Sequence, residues 1–385
     1  MDQFIVSARK YRPAAFNSVV GQNHVTQTLK NAIKTQHLAQ SFLFCGPRGV
    51  GKTTSARILA KTINCQNLTE NIDPCNACES CLAFNKNGSF NIYELDAASN
   101  NSVEDIRSLV DQVRYPPQGS NYKVYIIDEV HMLSSNAFNA FLKTLEEPPS
   151  YAVFILATTE KHKIIPTILS RCQIFDFNRI SVKDIALHLK EIANKEAVTA
   201  EEDALHIIAE KADGALRDAL SIFDQMVSFS GNNLTYEDVI KNLNILDYEY
   251  YFRLIDNIDK QDTASCLLLL DEVIKKGFDT FIFLSGLSDH FRNLLICKDN
   301  STLSLLEVAE TAVEKYSMQS RQLKAGFILN ALNLCNKYEL NYKSARNPRL
   351  HIELLLLKLC NLKDLLQLSQ TSAMPAEDKK KSMTR

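Results

Sequence analysis

The chain has 385 residues, of which 45% are hydrophobic and 23% are charged. This balance is typical of a folded protein and excludes a disordered chain, and the length predicts roughly two or three domains. Lysine and arginine number 43 against 45 aspartates and glutamates, so the net charge of -2 excludes a protein-wide basic field that would attract nucleic acid.

The amino terminus, MDQFIVSARKYRP, lacks the apolar run of a secretion signal. No later stretch reaches the roughly 18 uncharged apolar residues of a membrane span. These observations predict a cytoplasmic protein without a membrane partner. In such a chain, the ten cysteines are expected to be reduced thiols or metal ligands.

A phosphate-binding motif follows the first predicted strand. The apolar run at 41–45 predicts a buried strand, G-x-x-x-x-G-K-[ST] follows it at 46–53, and a helical pattern comes next. Backbone N–H groups would surround phosphates, Lys52 would reach the terminal phosphates and Thr53 would bind magnesium. An ordinary glycine-rich turn is the alternative interpretation. The motif predicts a site for ATP and Mg²⁺ at Gly46, Pro47, Arg48, Gly49, Val50, Gly51, Lys52, Thr53 and Thr54.

Four cysteines follow the helix of this motif. Cys65, Cys75, Cys78 and Cys81 have the spacing C-x9-C-x2-C-x2-C, which favours a structural Zn²⁺ held by four thiolates. An iron–sulfur cluster is the main alternative, although no other feature of the chain calls for electron transfer. The remaining cysteines are interpreted as small buried apolar residues: Cys45, Cys172, Cys266, Cys297, Cys335 and Cys360.

Further strands and helices alternate up to about residue 176. Residues 102–114 predict an amphipathic helix with Ser102 as its N-cap. Apolar runs at 123–128 and 152–158 predict buried parallel strands, since they are too short for helices. Alternating elements of this kind predict an α/β domain with a doubly wound parallel sheet. The apolar face of the helix comprises Val103, Ile106, Leu109, Val110 and Val113.

Two acidic residues end the predicted strand at 123–128. Asp128 and Glu129 would lie at the carboxyl edge of the sheet, where open α/β sheets bind ligands. Asp128 would hold Mg²⁺, and Glu129 would orient or polarise the attacking water. Two solvated acids at a strand end are the alternative interpretation, which the upstream phosphate loop makes less favourable.

Beyond about Asp176 the apolar period is helical, and no proline occurs between Pro166 and Pro348. Gly, Asn and a capping Thr235 at 228–238 predict a connection between domains. Leucine-rich rows between 245 and 365 predict buried helices that pack together.

These motifs, in this order, resemble the gamma and tau subunits of bacterial DNA polymerase III, which are AAA+ ATPases of the sliding-clamp loader. The similarity is strong over roughly the first 240 residues. It implies a P-loop ATPase domain at 1–178 with a zinc-binding insertion at 65–81, a helical lid at 179–242, a helical collar for oligomerisation at 243–365 and a disordered tail at 366–385. The matching segments are 9–22, 46–53, 65–81, 94–107, 122–149, 156–172 and 214–225.

The resemblance also implies roles for individual residues. Arg171 is similar to the arginine finger that completes the ATP site of a neighbouring subunit, and Thr159, beside Thr158, is similar to the first sensor of the γ-phosphate. Arg217 matches the second sensor, which connects the lid to nucleotide. With Lys52 and Glu129, these residues form the implied catalytic set. The segment around adenine is more loosely matched at Arg12, Pro13 and Val20.

The implied mechanism is an ATP-dependent switch within a ring of clamp-loader subunits. ATP at the subunit interfaces favours an assembly that grips the sliding clamp and primer–template DNA, and hydrolysis releases both. The polymerase core is a further implied partner.

Two departures from the family pattern affect these expectations. The first cysteine gap is one residue longer than in familiar relatives, which a loop can absorb. Asn100 and Ser102 stand where several relatives carry basic residues, so a DNA contact there would depend on helix N-termini. Lys143 is a further candidate for a phosphate contact, with a solvated lysine as the alternative.

Two other functions are compatible with the motifs. The D-E-x-H run at 128–131 also suggests an AAA+ helicase or branch-migration motor, but the sequence contains no evident aromatic platform or basic channel. A nucleotide-binding scaffold without catalysis is the second alternative. The presence of the residues expected for hydrolysis argues against it: Lys52, Thr53, Asp128, Glu129 and Arg171.

Overall fold

The chain divides between Thr235 and Tyr236 into two structural units. The computed structural model describes residues 5–86, 88–243, 246–306, 308 and 310–364. The predicted disordered tail at 366–385 lies outside this part, and the four predicted domain ranges stay predictions.

The first unit is built on a five-stranded parallel sheet. Its strands are β1 (Ser41–Cys45), β2 (Ile92–Asp96), β3 (Lys123–Asp128), β4 (Ala152–Thr158) and β5 (Gln173–Asp176), in the order β2-β3-β4-β1-β5. The three strands predicted from apolar runs are confirmed as the central ones. The sequence analysis missed β2 and β5 because these edge strands are only partly buried and carry no continuous apolar run.

Side chains of the central strands alternate between two cores on opposite faces of the sheet. Phe42, Phe44 and Ile126 belong to one core, whereas Leu43 and Ile127 belong to the other. Helices cover both faces, as the doubly wound arrangement requires.

The helices of the first unit follow the strands in the predicted alternation. Ser102 caps α5 by accepting a hydrogen bond from the N–H of Asp105, as predicted for an N-cap. The helices are α1 (Ser7–Lys10), α2 (Asn23–Lys34), α3 (Lys52–Ile63), α4 (Glu79–Asn85), α5 (Val103–Val113), α6 (Ser135–Glu146), α7 (Pro166–Leu169), α8 (Val182–Lys195), α9 (Glu202–Lys211) and α10 (Leu216–Ser230).

The helical part after β5 also contains a small parallel sheet that the sequence analysis did not predict. Its strands are β6 (Thr199–Ala200) and β7 (Asn233–Leu234), each too short to produce a period in the sequence. Near the chain start, the backbone N–H of Ser7 donates to Asp224 Oδ2 at 2.7 Å, which joins α1 to α10.

The second unit is helical in its described part. Asp247, Asp262 and Asp279 cap successive helices, and the predicted leucine rows form a single buried core. The helices are α11 (Tyr236–Asn242), α12 (Tyr248–Asp259), α13 (Thr263–Lys275), α14 (Thr280–Ile296), α15 (Glu310–Gln322), α16 (Ala325–Asn341) and α17 (Pro348–Cys360). Among the described residues of the chain, no helix has the length and apolar character needed to cross a membrane.

Candidate functional site

Three strand ends meet at the carboxyl edge of the main sheet. Because β1, β4 and β3 are parallel neighbours, Cys45 pairs with Thr158 and Ile127 pairs with Leu156. The predicted phosphate loop therefore begins where Asp128 and Thr159 also emerge. This edge is the usual position of a ligand site in an open α/β sheet.

Glycine is required at two positions of the phosphate loop. Gly46 has a φ of 147°, and a Cβ there would collide with the carbonyl oxygen of Phe177. Gly49 has a φ of 79°, and a Cβ there would lie 2.9 Å from that of Ala215. The loop is thus held in a glycine-dependent conformation, and Ala215, just before α10, packs directly against it.

Lys52 lies inside this loop. It is 5% exposed, and its Nζ donates to the carbonyl oxygens of Gly46 at 2.8 Å and Pro47 at 2.6 Å. Burial lowers the pKa of Lys52, while the carboxylates of Glu129 and Asp128 oppose that shift. A partly desolvated ammonium enclosed by backbone carbonyls is suited to bind a phosphate oxygen.

Thr53 and Asp128 form the predicted magnesium position. Thr53 Oγ1 donates to Asp128 Oδ2 at 2.6 Å, so a hydroxyl and a carboxylate from distant parts of the chain lie together. Asp128 Oδ1 accepts a hydrogen bond from the N–H of Glu129 at 2.9 Å. Oxygen ligands of this kind fit Mg²⁺, which binds one or two carboxylates beside phosphates and water.

Glu129 is held from the end of β4. Its carboxylate Oε2 accepts hydrogen bonds from the Thr159 hydroxyl at 2.9 Å and from the Thr159 N–H at 3.2 Å. Its backbone is in the left-handed region, with φ 47° and ψ 43°, which is unfavourable for a residue with a side chain. Strain at a carboxylate beside a phosphate loop is typical of a catalytic position.

Two predicted arginines approach the loop and its helix. The backbone N–H of Arg217 donates to the Gly49 carbonyl at 3.4 Å, which places the start of α10 beside the loop. Arg12 Nε donates to Thr54 Oγ1 at 3.2 Å. Both arginines are exposed at an edge where they could meet a nucleotide.

Arg171 is directed elsewhere. Its guanidinium donates to Glu146 Oε1 at 2.8 Å and to the Thr167 carbonyl at 2.7 Å, and its side chain is 33% exposed. These partners lie outside the phosphate-loop group. Such a position is compatible with action on a neighbouring chain.

The remaining predicted contacts have simple local environments. Pro13 and Val20 are half-buried, whereas the adjacent Val19 is buried and faces Gly51. Asn100 donates to the Asp96 carbonyl, Ser102 is occupied as the cap of α5, and Lys143 is exposed. The suggested DNA contacts stay predictions.

The four cysteines of the insertion form one cluster. All four Sγ atoms lie within 4.8 Å of one another, and two pairs, Cys65–Cys78 and Cys75–Cys81, lie 4.0 Å apart. A tetrahedral zinc with Zn–S bonds of about 2.3 Å separates its sulfurs by about 3.8 Å. The four thiols therefore fit a single tetrahedral metal ion.

Backbone N–H groups favour the charged form of one sulfur in this cluster. The N–H groups of Ala77 and Cys78 donate to Cys75 Sγ at 3.4 and 3.3 Å, and these bonds lower the pKa of Cys75 to about 6. Lys61, which is 4% exposed, lies beside the cluster and donates to Asn85 Oδ1 at 2.6 Å. Its ammonium would offset part of the negative charge of a four-thiolate metal site.

A buried ion pair ties the insertion to the nucleotide side of the domain. Asp73 Oδ2 lies 3.2 Å from Lys30 Nζ, and Asp73 Oδ1 accepts from the N–H of Phe16 at 2.8 Å. Asp73 and Lys30 are 7% and 8% exposed. The insertion thus helps to hold the segment 16–19 in place. Val19, at the end of that segment, faces Gly51 of the phosphate loop.

The sequence analysis missed three residues that organise these sites. Lys30 and Asp73 are 43 residues apart and belong to no sequence motif. Their pairing could have been predicted only from a prediction of the structure around them. His131 appears in the sequence only as the last residue of D-E-x-H. In the structure its ring is buried between Glu129 and Glu160.

Family comparisons agree over nearly the whole chain. The matching family models are described as "DNA polymerase III, delta subunit" over residues 21–181, "DNA polymerase III clamp loader subunit, ATPase lid domain" over residues 184–232 and "DNA polymerase III subunits gamma and tau domain III" over residues 234–373.

Individual relatives carry corresponding names. The chain is 41% identical to DNA polymerase III subunit tau of Bacillus subtilis, over 91% of this chain and 62% of the relative. It is 35% identical to DNA polymerase III subunit gamma of Buchnera aphidicola, over 92% of this chain and 98% of the relative. It thus spans less than two thirds of the first relative and nearly all of the second.

Similarity to solved structures is weaker. The Holliday junction branch migration motor RuvB of Thermotoga maritima is 22% identical with a TM-score of 0.46, over 64% of this chain and 79% of that one. A likeness at this level carries no functional conclusion.

Proposed function

This chain belongs to the family of DNA polymerase III gamma and tau subunits, and we propose that it is an ATP hydrolase that drives loading of the sliding clamp. The predicted fold class is confirmed: a parallel-sheet AAA+ domain is followed by helical parts, and the cysteine insertion follows the P-loop helix.

One observation carries the catalytic part of this proposal. The Thr53–Asp128 pair and the Thr159–Glu129 pair lie side by side at the end of β3, next to the phosphate loop. A phosphate loop alone supports nucleotide binding, whereas the added carboxylate of Glu129 supports hydrolysis. Phosphoryl transfer depends mainly on positioning and charge stabilisation, which this group of residues can supply.

Each residue has a definite role in the proposed reaction. Lys52 binds the terminal phosphates, Thr53 and Asp128 hold the magnesium ion, and Glu129 orients the attacking water. When bound, Mg²⁺ would neutralise charge that develops on the phosphate oxygens. Thr159 fixes the Glu129 carboxylate and senses the γ-phosphate.

Two arginines couple nucleotide binding to the lid and to the neighbouring subunit. Arg217 couples the lid to the nucleotide through the contact of α10 with the phosphate loop. Arg171 reaches into the ATP site of a neighbouring subunit. Because this arginine belongs to another chain, ATP binds more tightly in the assembled state, and hydrolysis removes that preference.

The proposed partners are those that membership of this family suggests. We infer that the chain forms a ring with other clamp-loader subunits in the cytoplasm, with its helical second unit as the collar. The ring holds the sliding clamp and primer–template DNA and serves the polymerase core.

Steady-state ATP hydrolysis tests the proposal. The chain is assembled with its partner subunits and measured with clamp, with primed DNA, with both and with neither. We expect strong stimulation only when clamp and primed DNA are present together. Stimulation by DNA without clamp dependence would favour a branch-migration motor, and absence of hydrolysis in every mixture would favour a scaffold.

We also propose that the cysteine cluster holds one structural Zn²⁺. The four sulfurs supply all the ligands of a tetrahedral ion, as in structural zinc sites. The metal keeps the insertion folded, so that Asp73 remains placed for Lys30 and Phe16. Metal analysis of the purified chain should give one zinc per chain and no absorption from an iron–sulfur cluster.

Cys78→Ser should release the metal and lower stability. Loss of the cluster frees the loop that carries Asp73, which leaves Lys30 buried without its carboxylate, and an uncompensated buried charge costs about 3 kcal/mol or more. The unfolding temperature is then expected to fall by roughly 6–12 °C. Cys297→Ser, which alters a half-buried cysteine outside the cluster, is the control for thermal unfolding and metal content. Equal stability of Cys78→Ser and the unmodified chain would disprove the structural role.

A further inference from the structure

We propose that His131 is a positioning residue for ATP hydrolysis, which fixes Glu129 and the first-sensor segment relative to one another. The inference rests on the proposed function. It assigns to the last residue of the D-E-x-H run a role that depends on its contacts rather than on the motif.

His131 joins the ends of two strands. It lies in the short turn after β3, at Val130–Met132, and its side chain is 6% exposed. Its Nδ1 is 3.0 Å from the hydroxyl of Thr158, the last residue of β4, and its Nε2 is 3.5 Å from Glu160 Oε1. The ring therefore spans the gap between the catalytic carboxylate and the residues on either side of Thr159.

Polar contacts link the ring to both sides of Thr159. Thr158 Oγ1 accepts a hydrogen bond from the N–H of Glu160 at 3.0 Å, and it also lies within hydrogen-bond distance of His131 Nδ1. On the opposite side of the ring, Nε2 faces the Glu160 carboxylate. His131, Thr158 and Glu160 thus hold each other in one conformation.

The same ring also contacts the side chain of Glu129. His131 Nδ1 is 3.4 Å from Glu129 Oε2, on the carboxylate that Thr159 also holds. Glu129 has a strained backbone, and its side chain is 28% exposed. Without the Nδ1 contact to Thr158, the end of β4 is no longer fixed to the turn that carries Glu129, so other rotamers of the carboxylate become accessible and the strain can relax. Misplacement of a reacting group by about 1 Å can reduce a rate about 100-fold.

A matched pair of variants tests this role. Asparagine and leucine have similar shapes, but only His131→Asn places a polar atom where Nδ1 meets Thr158. Single-turnover ATP hydrolysis and ATP affinity are measured on assemblies with the partner subunits. We expect His131→Leu to slow hydrolysis by about tenfold or more, with ATP affinity changed by less than about twofold, and His131→Asn to retain a rate within about threefold.

His162→Ala is the control, because this exposed histidine also faces Glu160, at 3.5 Å. It should leave the rate unchanged. A His131→Leu rate within about threefold of the unmodified assembly would overturn the inference, as would His131→Asn being as slow as leucine or an equal loss of rate and affinity. If the unmodified assembly hydrolyses no ATP, the proposed function itself fails, which is a different result.

Discussion

Glu129→Gln should abolish nearly all ATP hydrolysis while ATP still binds. Glutamine keeps an oxygen that can accept from Thr159, so the local structure is expected to remain. The neutral amide does not polarise water as a carboxylate does, and loss of a positioned acid or base typically costs 10²- to 10⁴-fold in rate. We expect a decrease of about that size in single-turnover hydrolysis, with ATP affinity within about twofold.

Glu104→Gln provides the matched control, since Glu104 is an exposed carboxylate in the first turn of α5, away from the phosphate loop. Its rate should equal that of the unmodified chain. If Glu129→Gln hydrolysed ATP at the normal rate, the carboxylate would be a structural group, and its assignment as a catalytic residue would be wrong.

The central strands were predictable because nearly all their side chains are buried, with only Asp128 at the end of β3 partly exposed. Residues 41–45, 123–128 and 152–158 need no partner information to be recognised as apolar runs. The edge strands β2 and β5 have partly exposed side chains, so their sequences lack a continuous apolar run. The order of the strands also depends on pairings between distant segments, which local pattern does not contain.

In the candidate site, too, local motifs were predictable and contacts between distant segments were not. The phosphate loop and the cysteine spacing were recognisable because each is a compact run of residues with a definite chemical need. The Lys30–Asp73 pair and the His131–Glu160 contact join separate segments, so the sequence analysis found neither. The strain at Glu129 was equally hidden, because a backbone angle is imposed by the surrounding structure.

Arg171→Ala should remove most ATP hydrolysis from the assembled ring. An arginine finger stabilises charge in the transition state and contributes about 10³- to 10⁵-fold to the rate. We expect a loss of about 10³-fold or more in single-turnover hydrolysis by the assembly. Arg171→Lys should also be slow, because lysine keeps the charge but lacks the planar fork of donors. Arg114→Ala, at an exposed arginine of the same domain, is the control.

Stability separates this role from a purely structural one. Within its own chain Arg171 forms a partly exposed pair with Glu146, and such pairs contribute only about 0–1 kcal/mol. A structural role therefore predicts a slightly lower unfolding temperature and normal hydrolysis. Action in trans instead predicts a loss of hydrolysis with an unfolding temperature close to normal.

Action in trans also predicts complementation between two variant chains. A chain with Lys52→Ala keeps its finger, whereas a chain with Arg171→Ala keeps its ATP site. Assemblies containing both should hydrolyse ATP faster than either alone, and failure of the mixture to do so would exclude a finger shared between subunits.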